Sequence, residues 1–330
     1  MNNFYLYSFL LILNFLIILK YQSIGKFFNV YDKPNLKRKI HKEPVPLLGG
    51  LIFYINLIII IFYSFVFDEF FKIDFSSREI ISLIIGSTFL FLLGLFDDKY
   101  SLNANTRLVI SFLIILGILQ IDKYLLIKEL SFNSLKQVFV LKDFSYFFTI
   151  LCILLFVNAL NMFDGINLQV SFYCVLIFIL MIYLGIFSNV VKLFLFPMIA
   201  ILFLNRNGKI FLGDSGCYIL GFIISYLIIK NYNLDPNFKS DTIFLIMSIP
   251  GLELLRLTIH RALKGRNPFS PDNQHIHHFL LKKQTYLFSF VYIQLLIIFP
   301  ILIFIFLGNA LISILISIIL YLITFFRFKS

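Results

Sequence analysis

The sequence predicts an all-α fold: a polytopic transmembrane helical bundle of about 10 to 11 spans with its N-terminus outside. Three observations predict it. Of 330 residues, 60% are apolar and 14% charged, with a mean hydropathy of +0.94, far from the mix of a soluble domain. The apolar residues fall into runs near the roughly 20 residues that a helix needs to cross the hydrocarbon. The net charge of +11 is gathered into alternate loops.

In chain order, the runs lie near 4–22, 47–67, 79–96, 107–121, 146–160, 168–187, 190–205, 211–229, 241–259, 286–306 and 309–326, with the fourth, fifth and seventh short. The first, MNNFYLYSFLLILNFLIILK, lacks a basic leader and a small-residue cleavage site, and is read as a retained span. The third ends on Asp97 and Asp98, the fifth on Asp164, and the eighth begins on Asp214. Within the ninth, Glu253 and Arg256 stand at i,i+3 and could satisfy each other as an ion pair. Cys152, Cys174 and Cys217 show no metal-ligand spacing and read as buried small apolar residues. The whole chain, 1–330, is expected to form a single integral-membrane domain.

Sorting the loops alternately to two sides gives one side rich in Lys and Arg and another where acids offset the bases. The basic side is cytoplasmic by the positive-inside rule. Every loop of unusual polar composition falls on it: DKPNLKRKIHKEPVPLLGG, GLFDDKYSLNANTR, NALNMFDGIN, NRNGKIFLGDSG and HRALKGRNPFSPDNQHIHHFLLKK. A basic face of this kind serves topology and also attracts anionic substrates or headgroups.

A carboxylate at a span centre would cost about 2.5 to 3.5 kcal/mol, so span ends are where acids are tolerated. Four acids from three segments on one face suggest a site for a hard cation, Mg²⁺ with Mn²⁺ as substitute, because Asp and Asn oxygens suit such ions. Magnesium uses one or two carboxylates plus phosphates and waters, so four are more than one ion needs. Successive helical residues diverge by about 100°, so Asp97 and Asp98 are expected to divide the work, one reaching ligand or substrate and the other supporting it. In FLGDSG a helix starting at Asp214 would aim free N–H groups at an anion. In NALNMFDGIN, Asn158, Asn161 and Asp164 are each a turn apart and would share one face of a continuing helix.

The basic loop RALKGRNPFSPDNQHIHH supplies Arg266, whose guanidinium suits phosphate, and three of the five histidines, His275, His277 and His278. Acids, a divalent ion and a basic histidine loop at one surface form equipment for phosphoryl transfer. A transporter using the acids for a coupling ion is the reading of a different class.

The motifs RKIHKEPVPLLGG, GLFDDKYSLN, NALNMFDGIN, FLGDSGCYILGF and GRNPFSPDNQHIHH, in this order over nearly the whole chain, resemble the polyprenyl-phosphate N-acetylhexosamine-1-phosphate transferases, the glycosyltransferase 4 family. The HIHH form resembles its WecA-like branch more than the MraY-like branch, a phospho-MurNAc-pentapeptide transferase, which stays the alternative. The resemblance implies transfer of a HexNAc-1-phosphate, GlcNAc first, from a UDP-sugar to undecaprenyl phosphate, with UMP released and Mg²⁺ required. It places the enzyme in the bacterial inner membrane at the initiating step of a cell-envelope glycan such as O-antigen or teichoic acid, and leaves a homodimer open. By the same resemblance Asp97, Asp98 and Asp164 are catalytic, and Asp214 with Asn161 would hold the metal. Asn158, His41, Lys42, Arg266, His275, His277 and His278 would bind substrate. Two positions depart from the pattern: Ser101 stands where many relatives carry a third acid, and Leu168 where many carry Gly. Both bear on sugar specificity and leave the reaction class intact.

Overall fold

A computed structural model describes residues 2–34, 43–133, 135–267 and 273–329. The described residues fold into α1 (Asn2–Phe28), α2 (Gly49–Phe67), α3 (Phe71–Asp74), α4 (Ser77–Tyr100), α5 (Ala104–Ile121), α6 (Ser145–Phe163), α7 (Gln169–Tyr183), α8 (Ser188–Arg206), α9 (Gly213–Leu234), α10 (Ser240–Ile246), α11 (Ser248–Leu263), α12 (Ile276–Lys283), α13 (Tyr286–Leu307) and α14 (Ala310–Lys329). Nine of these are long and apolar enough to span, the pair α10 and α11 makes a tenth if counted as one, and α7 is a shorter apolar helix. The chain is a multi-pass, helical membrane protein, and each expected run has its helix.

The ninth run differs in shape. Between α10 and α11 it bends by 77°. Pro250 has no N–H to donate to the carbonyl of Ile246, so the helix restarts at Ser248 with the proline in its first turn, where no such bond is needed. Two small antiparallel ribbons also form, in segments that hydropathy marks only as loops. One pairs β1 (Tyr31–Asp32) with β2 (Val45–Pro46), the other β3 (Glu129–Phe132) with β4 (Leu135–Val140). The second ribbon is anchored by side chains from distant helices: the Tyr232 hydroxyl accepts the Ser131 N–H, and the Asp241 carboxylate accepts the backbone and side-chain N–H groups of Asn133. Short local alternation could not announce those anchors.

The chain divides into two compact units, 1–122 with 170–224, and 123–169 with 225–330. In the first, α4 packs on α5 and α2, while α1 and α2 both pack on α8. Lipid is as apolar as Leu, so such helices associate through close packing of small residues and polar contacts. Both are present. Asn14 of α1 and Asn56 of α2, buried, exchange amide hydrogen bonds of 2.7 and 3.2 Å. The N–H groups of Gly49 and Gly50, opening α2, donate to the carbonyls of Phe211 and Leu212 just before α9. A Cβ on Gly49 would lie 2.7 Å from the Leu212 Cα, and one on Gly94 of α4 would collide with the backbone of Ser215. Three glycines thus let α2 and α4 approach the start of α9 backbone to backbone.

In the second unit, α11 packs on α6, α14 packs on α10, α11 and α13, and α12 packs on both α13 and α14. The bend before α11 and the short α12 bring the histidine segment of this unit onto α14.

Candidate functional site

In the first unit the close approach of α4 to α9 sets the geometry of three of the expected acids. Gly94, Asp97 and Asp98 lie within five residues on α4, so the glycine that admits α9 also delivers Asp98 to it. The two oxygens of Asp98 accept the N–H groups of Asp214 at 2.8 Å and Ser215 at 3.1 Å. Gly213 is held at φ +77 beneath them, where a Cβ would stand 2.8 Å from an Asp98 oxygen. The anion at this helix start is therefore Asp98 itself, and the N–H groups that the sequence suggests are free are taken.

Asp97 turns the other way, as the angle between successive helical residues requires. It is buried, one oxygen accepting the Leu102 N–H at 2.8 Å and the other 2.5 Å from the Arg107 guanidinium of α5. Arg107 also stands 3.9 Å from Asp214. The Asp214 side chain keeps 33% of its surface exposed, against 3% for Asp97. In the sequence Arg107 is only one more basic loop residue, yet it ties two of the acids together. Ser101, the departure from the family pattern, caps α4 in the left-handed region at φ 52 and donates its N–H to the Asp97 carbonyl.

In the second unit, Asn158, Asn161 and Asp164 are all half-buried, with α6 ending at Phe163 and Asp164 at its cap. The Asn158 amide donates back to the Leu154 carbonyl. The histidine segment packs on the turn that follows: a Cβ on Gly165 would fall inside the His277 ring. The glycine of DGIN is thus a seat for an imidazole. His275, His277 and His278 cluster with ring centroids 4.3 to 5.9 Å apart, His275 stacked on His277 and edge-on to His278. His277 is buried, and desolvation, with the neighbouring histidines and Arg256 adding, holds its pKa well below the usual imidazole value, so the ring is neutral. Of the three, His278 keeps the most exposure.

Leu168, the second departure, sits at φ +69, a conformation natural to Gly and strained for Leu. Arg266 is exposed just past the end of α11. His41 and Lys42 lie outside the described residues.

Behind the histidines is a buried network whose extent the sequence does not reveal. Glu253 and Arg256 do pair, at 2.8 Å, and the pair reaches further. Glu253 also accepts the Ile276 N–H at 2.9 Å and the Tyr321 hydroxyl of α14. Arg256 donates to Tyr321 at 2.8 Å and to the Gln274 carbonyl at 2.6 Å.

Among the described residues no group of three or more His, Cys, Asp or Glu is arranged to hold a metal ion. That does not conflict with magnesium, which keeps several waters and takes one or two carboxylates beside phosphate oxygens. Asp214, partly exposed and next to Asp98, fits that modest demand.

Residues 80–231 match the model of the family described as glycosyl transferase family 4. The chain is 27% identical over 272 residues, 76% of its length and 69% of the relative's, to the undecaprenyl-phosphate alpha-N-acetylglucosaminyl 1-phosphate transferase of Salmonella typhi. It is 27% identical over 282 residues, 79% and 71% of the two lengths, to the protein of the same name from Escherichia coli (strain K12). It is also 28% identical over 265 residues, 76% and 69% of the lengths, to the probable undecaprenyl-phosphate N-acetylglucosaminyl 1-phosphate transferase of Bacillus subtilis (strain 168).

Proposed function

We propose that the chain is a member of glycosyl transferase family 4, a reading supported by the match over residues 80–231 and by 27–28% identity to the three transferases above, and that it transfers GlcNAc-1-phosphate from UDP-GlcNAc to undecaprenyl phosphate, releasing UMP. It does so in the bacterial inner membrane, with its Lys/Arg-rich loops in the cytoplasm, as the first step of a cell-envelope glycan. The observation that carries the reading is the junction of α4 with α9, where Asp97, Asp98, Arg107 and Asp214 meet.

In the reaction an oxygen of the lipid phosphate bonds to the β-phosphorus of the UDP-sugar. The bond from that phosphorus to the oxygen bridging to the α-phosphorus breaks, and UMP leaves with that oxygen. The second pKa of a phosphomonoester is about 6, so the nucleophile is already largely ionised at neutral pH and needs little help from a base. Both oxygens of Asp97 and both of Asp98 are engaged with N–H groups, which favours building and charge placement over proton transfer. Arg107 brings a guanidinium, suited to phosphate oxygens, to the same point. Mg²⁺, when bound, would neutralise charge on the phosphates, with Asp214 as the residue to hold it. In the second unit the histidine cluster on Gly165, with the amides of Asn158 and Asn161, offers hydrogen-bond donors and acceptors suited to a nucleotide diphosphate, beside the carboxylate of Asp164.

The test is UMP release by protein purified in detergent, given UDP-GlcNAc, undecaprenyl phosphate and Mg²⁺, beside a panel of other UDP-sugars. Release that requires both substrates and is fastest with UDP-GlcNAc supports the reading. No release with any of the UDP-sugars would leave the transporter reading standing instead.

A further inference from the structure

We propose that Glu253, clamped by Arg256 and Tyr321, is the positioning residue of the histidine segment, so that α14 fixes the nucleotide-binding imidazoles. The inference rests on the function proposed above and assigns a role to three residues outside the five sequence motifs that carry the family resemblance. One carboxylate binds the backbone of the segment directly: a Glu253 oxygen accepts the Ile276 N–H, the first of α12, one residue before His277. The same oxygen lies 3.7 Å from Nδ1 of His275. Arg256 grips the segment from the other side of the turn through the Gln274 carbonyl, at 2.6 Å. The clamp is itself closed by Tyr321 of α14, whose hydroxyl donates to Glu253 and accepts from Arg256. The Arg256 guanidinium further lies over the Phe325 ring, 4.7 Å from its centroid.

An ion pair serving only to neutralise two charges inside an apolar span would need none of these backbone contacts. Here each partner commits a hydrogen bond to the residues flanking His275, and the chain Arg256 to Tyr321 to Glu253 polarises in one sense. Glu253 and Tyr321 are buried, so they act through the histidines and not on substrate. Displacing the clamp frees the start of α12, and with it the ring that rests on Gly165.

The experiment compares the intact protein with Tyr321→Phe, Glu253→Gln and Glu253→Leu in two measurements. Glu253→Gln keeps an oxygen for the Ile276 N–H and should be milder than Glu253→Leu, so it and Tyr321→Phe report even where the leucine variant does not fold. In steady-state kinetics both should raise KM for UDP-GlcNAc at least fivefold and leave KM for undecaprenyl phosphate within about twofold. In diethylpyrocarbonate labelling read by mass spectrometry, His275 and His277, protected in the parent, should label at least fivefold faster. Unchanged labelling, equal shifts in both KM values, or a lower melting temperature with KM unmoved would overturn the assignment. Should the parent release no UMP at all, the transferase reading fails by itself, and the labelling alone decides whether the clamp positions the histidines.

Discussion

Asp98 gives both oxygens to the first N–H groups of α9, and that makes its replacement diagnostic. Asn would present an amide N–H to one of two N–H donors and leave it unmatched, so Asp98→Asn should lose at least about 100-fold in UMP release, near the cost of a lost charged hydrogen bond. A missing base would recover as pH rises; here the deficit should persist from pH 7 to 9 in the rate profile. Leu168 at φ +69 carries strain of about 1 to 2 kcal/mol, partly offset by the unfolded-state entropy of Gly, so Leu168→Gly should stabilise by about 0.5 to 1 kcal/mol. A rise of a few degrees in melting temperature in detergent checks it. His277 is held below the imidazole value by burial. The unfolded chain therefore takes up a proton that the folded chain refuses. Stability should be full above about pH 6.5 and fall as pH drops below it, by up to about 1.4 kcal/mol per unit. Melting between pH 7.5 and 5 should show this, with a shallower slope in His277→Gln. At this scale the sequence is a good guide to which residues matter and a poor one to what each does. The acids and histidines announce themselves by residue type, whereas Arg107, Glu253 and Tyr321 act through partners 10 to 68 positions away that spacing does not reveal.

The helices α2 and α4 join the start of α9 where side chains are absent. A Cβ on Gly94 would collide with the backbone of Ser215, while one on Gly117, on the neighbouring α5, would meet nothing within 4 Å. Gly94→Val should therefore cost about 3 kcal/mol or more and abolish activity, while Gly117→Ala should be neutral to slightly stabilising. Parallel melting curves and UMP release would separate the two. Hydrophobic runs make almost every helix legible, because the bilayer imposes a length and excludes unpaired backbone. The bend before α11 is less visible: Pro250 falls in a first turn, where the residue is as compatible with a helix start as with a span.

For the whole molecule, the asymmetry of Lys and Arg predicts an orientation that can be read chemically. Cysteines introduced at the exposed Lys123 and Lys283, in a chain with Cys152, Cys174 and Cys217 replaced by Ser, should differ in intact cells. A membrane-impermeant maleimide should label the first and reach the second only after permeabilisation; the reverse pattern would invert the topology. That the bundle is helical follows from composition, but its division into two units interleaved along the chain does not, since hydropathy assigns a residue to lipid or water and never to a neighbour. Around the start of α9 the contacts run between main-chain atoms of Gly49, Gly50, Phe211 and Leu212. A joint of that kind is indifferent to the identity of surrounding side chains. Exchanging lipid-facing residues would leave that joint in place, whereas a side chain at Gly49 or Gly50 would not. Engineers seeking a new donor sugar would do well to diversify the loops and leave that joint alone.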